Sequence, residues 1–176
     1  MPQRSYNLQR IQTWDEAWCL RFNRANTSPF VHNVFHTISR LGDGIFWYCL
    51  MLWLLVQDPA SAIFPVLHMI AVGLVCTVIY KWLKRKTHRP RPFDANHGIS
   101  CGTAPLDQFS FPSGHTLHAV AFSIVALAYF PALTWLLLPF TAMVAISRLV
   151  LGLHYPSDVL AGVLIGVTIS GLSLSI

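Results

Sequence analysis

The stretch SAIFPVLHMIAVGLVCTVIY, residues 61–80, contains no Lys, Arg, Asp or Glu and runs directly into the basic segment KWLKRK, residues 81–86. About 20 consecutive apolar residues are enough for a helix to cross the hydrocarbon core of a bilayer. A shorter apolar run, 45–57, needs residues before Gly44 to complete a span. Three further stretches are almost free of charge: 115–130, 132–151 and 157–176. The sequence therefore predicts an all-α fold, a polytopic membrane helical bundle of about five to six helices.

The overall composition excludes an ordinary soluble domain. Hydrophobic residues make up 54% of the 176 residues and charged residues 11%, against roughly 25% charged residues in a typical soluble domain. The net charge of +5 does not indicate nucleic-acid binding, because the basic residues are separated by membrane spans. A basic loop of a membrane protein more often meets anionic lipid. The four cysteines show no paired spacing, and a Cys19–Cys101 bridge has little support.

Residues 1–27 are expected to form an N-terminal interfacial amphipathic segment, ahead of a membrane-embedded domain at 28–176. They carry four arginines and no unbroken apolar stretch, so they are not expected to be a cleavable signal. Apolar residues recur at helical spacing over 13–26, and Thr13 with Glu16 fits a capping box. Two tryptophans suit a helix at the membrane interface. A helix packed on the protein's own surface explains the same pattern, and the sequence leaves both interpretations open.

Residues 29–57 are expected to form one interrupted membrane helix. The Gly-Asp-Gly sequence at 42–44 supplies the break, and the Asp-Pro pair at 58–59 ends the helix. The loop over 87–112 contains four prolines and separates the next two spans.

The order of the spans places distant segments on one membrane face. The span over 61–80 leaves the membrane at Lys84 and the next span enters at His115, so both residues lie on the same face. The chain turns at Pro131 on the opposite face and returns to the first face at Arg148. Three segments far apart in sequence are thereby expected to meet at one surface.

Those three segments carry short motifs: Lys84-x6-Arg91-Pro92, Pro112-Ser113-Gly114-His115 and Ser147-Arg148-x5-His154-x3-Asp158. Arginine forks bind phosphate oxygens with paired hydrogen bonds, and lysine adds a point charge. A glycine at the start of a helix lets backbone N–H groups approach an anion. The motifs therefore predict a basic cradle that stabilises a phosphoryl group as it is transferred.

The two histidines supply the chemistry that the cradle lacks. One must attack phosphorus, and the other must protonate the leaving oxygen. Asp158 follows His154 by four residues across the start of a helix, so it can reach back and orient that imidazole. We therefore expect His154 to be the nucleophile and His115 the acid. No metal or cofactor is expected, because the seven acidic residues do not form the oxygen-ligand cluster of a two-metal phosphatase.

Several neighbouring residues have simpler explanations. Three basic residues are interpreted as an interfacial charge cluster: Arg85, Lys86 and Arg89. His118 lies one turn into its span and is interpreted as a hydrogen-bonded core histidine. Asp94 and Asp107 are single carboxylates in the loop, with no defined role.

The three motifs resemble, position by position, the signature of the type 2 phosphatidic acid phosphatase superfamily. The resemblance implies the helical acid phosphatase and vanadium haloperoxidase-like core of that superfamily, and a metal-independent hydrolysis. It implies that His154 forms a phosphohistidine, that Asp158 supports it, and that His115 acts as acid and then activates water. It also implies that five residues bind the substrate phosphate: Lys84, Arg91, Ser113, Gly114 and Arg148.

The expected substrate is a membrane lipid phosphate or diphosphate, because the short loops leave no room for a separate soluble substrate domain. Resemblance to small bacterial members favours undecaprenyl diphosphate. Phosphatidylglycerophosphate, phosphatidic acid and a lipid A phosphate stay open. So do three other activities, namely phosphoryl transfer to a second lipid, vanadate-dependent oxidation, and lipid binding or transport without catalysis.

The expected location is the cell membrane, and the basic residues and the resemblance predict different faces for the site. With five spans, all twelve Lys and Arg residues fall on the face of the motifs, which the positive-inside rule would make cytoplasmic. The resemblance implies the periplasmic or outer face, as in bacterial lipid phosphatases of that superfamily. We favour the outer face, because the charges between Lys84 and Arg91 have a catalytic reason to exist.

Overall fold

The computed structural model describes the backbone of residues 2–176 and the side chains of residues 10–176. Within these residues the chain is helical and has no β-strand. Its helices are α1 Pro2–Asn23, α2 Pro29–Arg40, α3 Phe46–Gln57, α4 Pro59–Thr87, the single turn α5 Pro92–Ala95, α6 Gly114–Tyr129, α7 Thr134–Val150 and α8 Pro156–Leu174. The predicted all-α bundle is confirmed.

Most of these helices have the length and the apolar composition of membrane-spanning segments. Four segments of the described chain are long and apolar enough to cross one: Pro29–Gln57, Pro59–Ala95, Pro131–Val150 and Pro156–Leu174. Helix α6 is also apolar but has 16 residues, which gives a length of about 24 Å, and it packs against α4, α7 and α8. Large apolar side chains are exposed on α3, α4 and α8, as expected for surfaces that face lipid: Leu52, Val56, Phe64, Leu67, Val78, Leu160 and Leu164.

Helices α2 and α3 form the predicted interrupted helix. A wide turn over Leu41–Ile45 joins them, and Gly44 within it has a φ of 136°, a conformation that glycine tolerates and other residues rarely adopt. At Gly42 an added Cβ would lie 3.2 Å from the side chain of Val144 on α7, so this turn packs directly against that helix. The break therefore lies where it was predicted, and it is held against the core.

Helices α6 and α8 approach each other closely because α8 presents glycines. A Cβ at Gly162 would lie 2.8 Å from the backbone oxygen of Ser113, and one at Gly166 would lie 2.8 Å from that of Leu117. Small residues allow membrane helices to pack backbone against backbone. The amide of Ser113 also donates to the backbone oxygen of Asp158 at 3.1 Å. The first turns of α6 and α8 are thereby fixed to each other.

Helix α1 begins well before Thr13, so the predicted helix start and capping box at that residue are wrong. The helix packs against α7 and α8, with Asp15 and Cys19 fully buried and with Trp14 and Trp18 exposed. One side of α1 therefore packs against the rest of the protein. The location of the opposite side, with its tryptophans, at the membrane interface stays a prediction. All four cysteines are free, so the weakly supported disulfide is not formed.

Candidate active site

The three motifs meet at one end of the bundle around a cavity of about 830 Å³. Six of the eight predicted site residues line it: Lys84, Arg91, Gly114, His115, Arg148 and His154. The other two, Ser113 and Asp158, are fully buried at the adjoining starts of α6 and α8. The ends of α4 and α7 and the start of α6 lie together, as the order of the spans requires. The structure thus gathers all eight residues, while their individual roles stay predictions.

Lys84 and Arg91 are almost fully buried cations that share one carboxylate. Oδ1 of Asp107 accepts from Nζ of Lys84 at 2.9 Å and from Nη2 of Arg91 at 2.8 Å. Lys84 also donates to the backbone oxygen of Phe109, and Arg91 to that of Leu153. Burial alone would raise the pKa of Asp107, but the hydrogen bond and charge of Lys84, together with Arg91, hold it below its usual value. Asp107 therefore stays ionised and balances part of the positive charge of the cradle.

Arg148 is the cation of the cradle that is balanced least. Its Nη1 donates to the hydroxyl of Ser39 on α2. Its Nε is buried and has no hydrogen-bond partner among the described residues, and it takes part in none of the ion pairs found there. A buried guanidinium with a spare N–H is well suited to bind an anion.

His154 lies in the turn between α7 and α8, where its backbone amide donates to the carbonyl of Arg148 at 3.2 Å. Its Nδ1 is 3.7 Å from Oδ2 of Asp158, an ion-pair separation that is too long for a hydrogen bond. Burial lowers the pKa of His154 well below its usual value, and the nearby cations add to the effect: Arg148, Arg91 and Lys84. The ring is therefore neutral near pH 7, which is the state that a nucleophile needs.

The sequence of the chain also matches a known protein family. The model of the PAP2 superfamily matches residues 61–176, which is more than half of the chain and includes all three motifs. The chain belongs to the PAP2 superfamily. The resemblance stated from the motifs is confirmed.

Two curated relatives match more than half of the chain. Decaprenylphosphoryl-5-phosphoribose phosphatase of Mycobacterium tuberculosis is 34% identical over 104 residues, which are 58% of this chain and 55% of the relative. Undecaprenyl-diphosphatase BcrC of Bacillus subtilis is 34% identical over 103 residues, 58% of this chain and 49% of the relative. The match thus spans about half the length of these relatives.

Two solved PAP2 structures share the fold over most of its length. A transmembrane phosphatidylglycerolphosphate phosphatase from Bacillus subtilis superposes with a TM-score of 0.74 at 25% identity, covering 94% of this chain and 85% of that one. Aquifex aeolicus LpxE gives a TM-score of 0.72 at 26% identity, covering 88% and 93%. The PAP2 helical core predicted from the motifs is therefore present, as part of a multi-pass membrane protein.

The contacts of Arg89 correct the sequence interpretation of that residue. Its guanidinium donates to Asp158 at 2.6 Å, to Asp15 at 2.6 Å and to the hydroxyl of Ser157 at 2.8 Å. Asp15 in turn accepts from the backbone amide of Ser157 at 3.0 Å. Arg89 is therefore not part of an interfacial charge cluster, because these contacts hold it between α1 and the first turn of α8. We name Asp15, Arg89, Ser157 and Asp158 the buried carboxylate network.

Sequence reasoning also missed a partner of His115. The Nε2 atom of His115 is hydrogen-bonded to Oδ1 of Asp43, in the turn between α2 and α3. The available signal was a carboxylate inside an otherwise apolar span, which is costly unless it has a function. His118 is hydrogen-bonded as predicted, because its Nδ1 bonds the backbone oxygen of Gly114 at 2.8 Å and its Nε2 bonds Thr77 at 3.1 Å. It is partly buried and lines the cavity, so it is not a core residue.

Proposed function

We propose that this PAP2 protein is an integral membrane lipid phosphatase that hydrolyses a polyprenyl diphosphate, with undecaprenyl diphosphate as the leading candidate. The observation that carries the proposal is the shape of the cavity. Its cationic end continues into an apolar cleft between α3 and α4.

The cleft is lined by Trp47 and Met51 from α3 and by Ile70 and Leu74 from α4. Ile70 and Leu74 are also exposed, and they lie on α4, where other exposed apolar side chains are expected to face lipid. Ile70 lies 14 residues before Lys84 on the same helix, which corresponds to about 21 Å along its axis. A lipid whose phosphate sits in the cradle has room to lay its first apolar segments in this cleft.

The relatives favour a polyprenyl tail over a diacylglycerol tail. The curated names describe different head groups, a diphosphate and a phosphoribose, but both describe a polyprenyl carrier. One solved relative is named for another head group, phosphatidylglycerolphosphate. The proposal must therefore be tested against phosphatidylglycerophosphate, and also against phosphatidic acid and a lipid A phosphate.

The first half-reaction is attack by His154 on the terminal phosphorus. Because Nδ1 faces Asp158, Nε2 is the atom left to form the P–N bond. The bond from phosphorus to the bridging oxygen breaks, and His115 donates a proton to that oxygen as the lipid monophosphate leaves. Lys84, Arg91 and Arg148 stabilise the charge on the remaining phosphoryl oxygens.

In the second half-reaction, water attacks the phosphohistidine. His115 takes a proton from that water, the P–N bond breaks, and inorganic phosphate is released. The proposal includes no metal ion. In support, the described residues contain no group of three or more His, Cys, Asp or Glu side chains arranged to hold one.

The decisive experiment measures phosphate release from a panel of lipids in detergent. The panel contains undecaprenyl diphosphate, phosphatidylglycerophosphate, phosphatidic acid and a lipid A phosphate, each with excess chelator. We expect the highest kcat/KM for the diphosphate, loss of turnover in His154→Ala, and unchanged turnover in the matched control His97→Ala, an exposed loop histidine. Activity that survives His154→Ala would overturn the mechanism, and label recovered on an added lipid acceptor instead of in phosphate would show a phosphotransferase.

We propose in addition that the site faces the outside of the cell membrane. The native thiol of Cys101 offers a direct test, because it is exposed on the site loop, where its neighbour Gly102 bonds the backbone oxygen of Leu151 at 3.0 Å. A membrane-impermeant maleimide should label intact cells at Cys101 and should not label the Cys101→Ser control. Labelling that requires permeabilised cells would place the site on the cytoplasmic face.

A further inference from the structure

The turn between α2 and α3 places one carboxylate at the edge of the active-site cavity. Asp43 lies within Leu41–Ile45 and is the acidic residue of the Pro29–Gln57 span. Carboxylates inside a membrane segment are costly and are retained where they meet a partner or a function. Gly42 also brings this turn close to the site, since an added Cβ there would lie 3.7 Å from Cδ2 of His115.

The contacts of Asp43 point to His115 rather than to a structural ion pair. Oδ1 is hydrogen-bonded to Nε2 of His115, and both residues line the cavity. The other oxygen accepts from Arg40 at 3.4 Å, and Arg40 is about half exposed. Such exposed pairs contribute little to stability, so the bond to His115 is the contact that gives Asp43 a reason to be in the membrane.

We infer that Asp43 is a positioning residue for His115: its carboxylate fixes the ring through Nε2 and leaves Nδ1 to exchange the proton with the leaving oxygen. When a carboxylate holds one ring nitrogen of a histidine, the other nitrogen is the one that exchanges a proton with the substrate. The negative charge also offsets the charge of the imidazolium in a cavity that five Lys and Arg residues line. This inference rests on the proposed role of His115 as the acid.

The proton balance gives a test based on the leaving group. As the P–O bond breaks, the proton on Nδ1 passes to the departing oxygen, while Nε2–H stays bonded to Asp43. An alkyl oxygen needs that proton, whereas 4-nitrophenolate leaves without it. We expect Asp43→Asn to lower kcat about 100-fold for dioctanoyl phosphatidate and less than about fivefold for 4-nitrophenyl phosphate. The control Arg40→Gln, which touches the same carboxylate, should change kcat less than about twofold for both.

A double-mutant comparison separates positioning from general damage. In a His115→Ala background, Asp43→Asn should cause no further loss with either ester, because residues that act as a unit are not additive. Equal losses for the two esters in Asp43→Asn, or a full additional loss in the His115→Ala background, would overturn the inference.

A second measurement does not depend on turnover. The ring ¹⁵N resonances of His115, assigned by comparison with His115→Ala, should report the Nε2–H form in the native protein and should change in Asp43→Asn. Unchanged resonances contradict the role of Asp43 even if both esters are poor substrates. Conversely, a changed spectrum without any phosphate release counts against the proposed function alone.

Discussion

Arg89→Gln should destabilise the protein and slow its reaction at the same time. Arg89 donates at 2.6 Å to Asp158 and at 2.6 Å to Asp15, and both carboxylates are fully buried. Removing one partner of a buried ion pair costs about 3–5 kcal/mol, because the other charge is left without compensation. The side chain of Arg89 is 23% exposed, so water offsets part of the loss and we expect the lower end, about 3 kcal/mol.

The assay is thermal unfolding in detergent, followed by tryptophan fluorescence. For a chain of this size, about 3 kcal/mol corresponds to a decrease in Tm of roughly 6–12 °C. The matched control is Lys86→Gln, which removes the same charge from an exposed residue of the same segment and should leave Tm within about 1 °C.

A double variant tests whether the unpaired carboxylates cause the loss of stability in Arg89→Gln. Adding Asp15→Asn to Arg89→Gln removes one of the two unpaired carboxylates, so the pair of changes should cost less than the sum of the single changes. If Arg89→Gln melts at the same temperature as Lys86→Gln, or if the two losses simply add, the buried carboxylate network does not stabilise the site as argued.

Three further predictions follow from the geometry. Gly162→Ala should lower Tm and kcat, because its Cβ would lie 2.8 Å from the backbone oxygen of Ser113. The control Gly171→Ala meets nothing within 4 Å and should be neutral or stabilising by about 0.5–1 kcal/mol. Equal changes in Tm for the two variants would refute the close contact at Gly162. Asp107→Asn removes the carboxylate that competes with phosphate for Lys84. The inhibition constant of inorganic phosphate should therefore fall about tenfold, which corresponds to about 1.4 kcal/mol of binding free energy. An unchanged inhibition constant would argue against that competition. Because the pKa of His154 is lowered, its ring loses its proton at a pH below the usual value of about 6.5. The acid limb of the pH profile of kcat/KM, corrected for ionisation of the substrate, should therefore lie below about pH 6.5. An acid limb at or above that pH would contradict a neutral His154 nucleophile.

The fold was predictable because its signals are local. Five apolar stretches and the Gly-Asp-Gly break could be read directly from the sequence, and each stretch lies largely within a helix of the bundle. The order of the spans then required the three motifs to share one face. The start of α1 was missed because residues 2–12 are polar, and the helix extends through them while one side of its later part packs against α7 and α8.

The supporting residues of the site were not predictable in the same way. Asp15 lies 74 residues from Arg89, and Asp43 lies 72 residues from His115. Nothing in the sequence around either carboxylate names its partner, since the partner is set by how α1 and the α2–α3 turn pack in three dimensions. The one usable signal was physical: a carboxylate in an apolar span requires an explanation, and Asp43 had none.

The distribution of acidic residues explains how this membrane site tolerates so many cations. The chain has seven acidic residues, and four of them are paired with basic groups at the site: Asp15, Asp43, Asp107 and Asp158. Buried cations are stable only when their charge is compensated. Among the described residues Arg148 has no carboxylate in an ion pair with it, which agrees with the proposal that it binds the substrate phosphate. The ion pairs therefore compensate part of the positive charge at the site, and Arg148 is a cation of the cradle that they leave uncompensated.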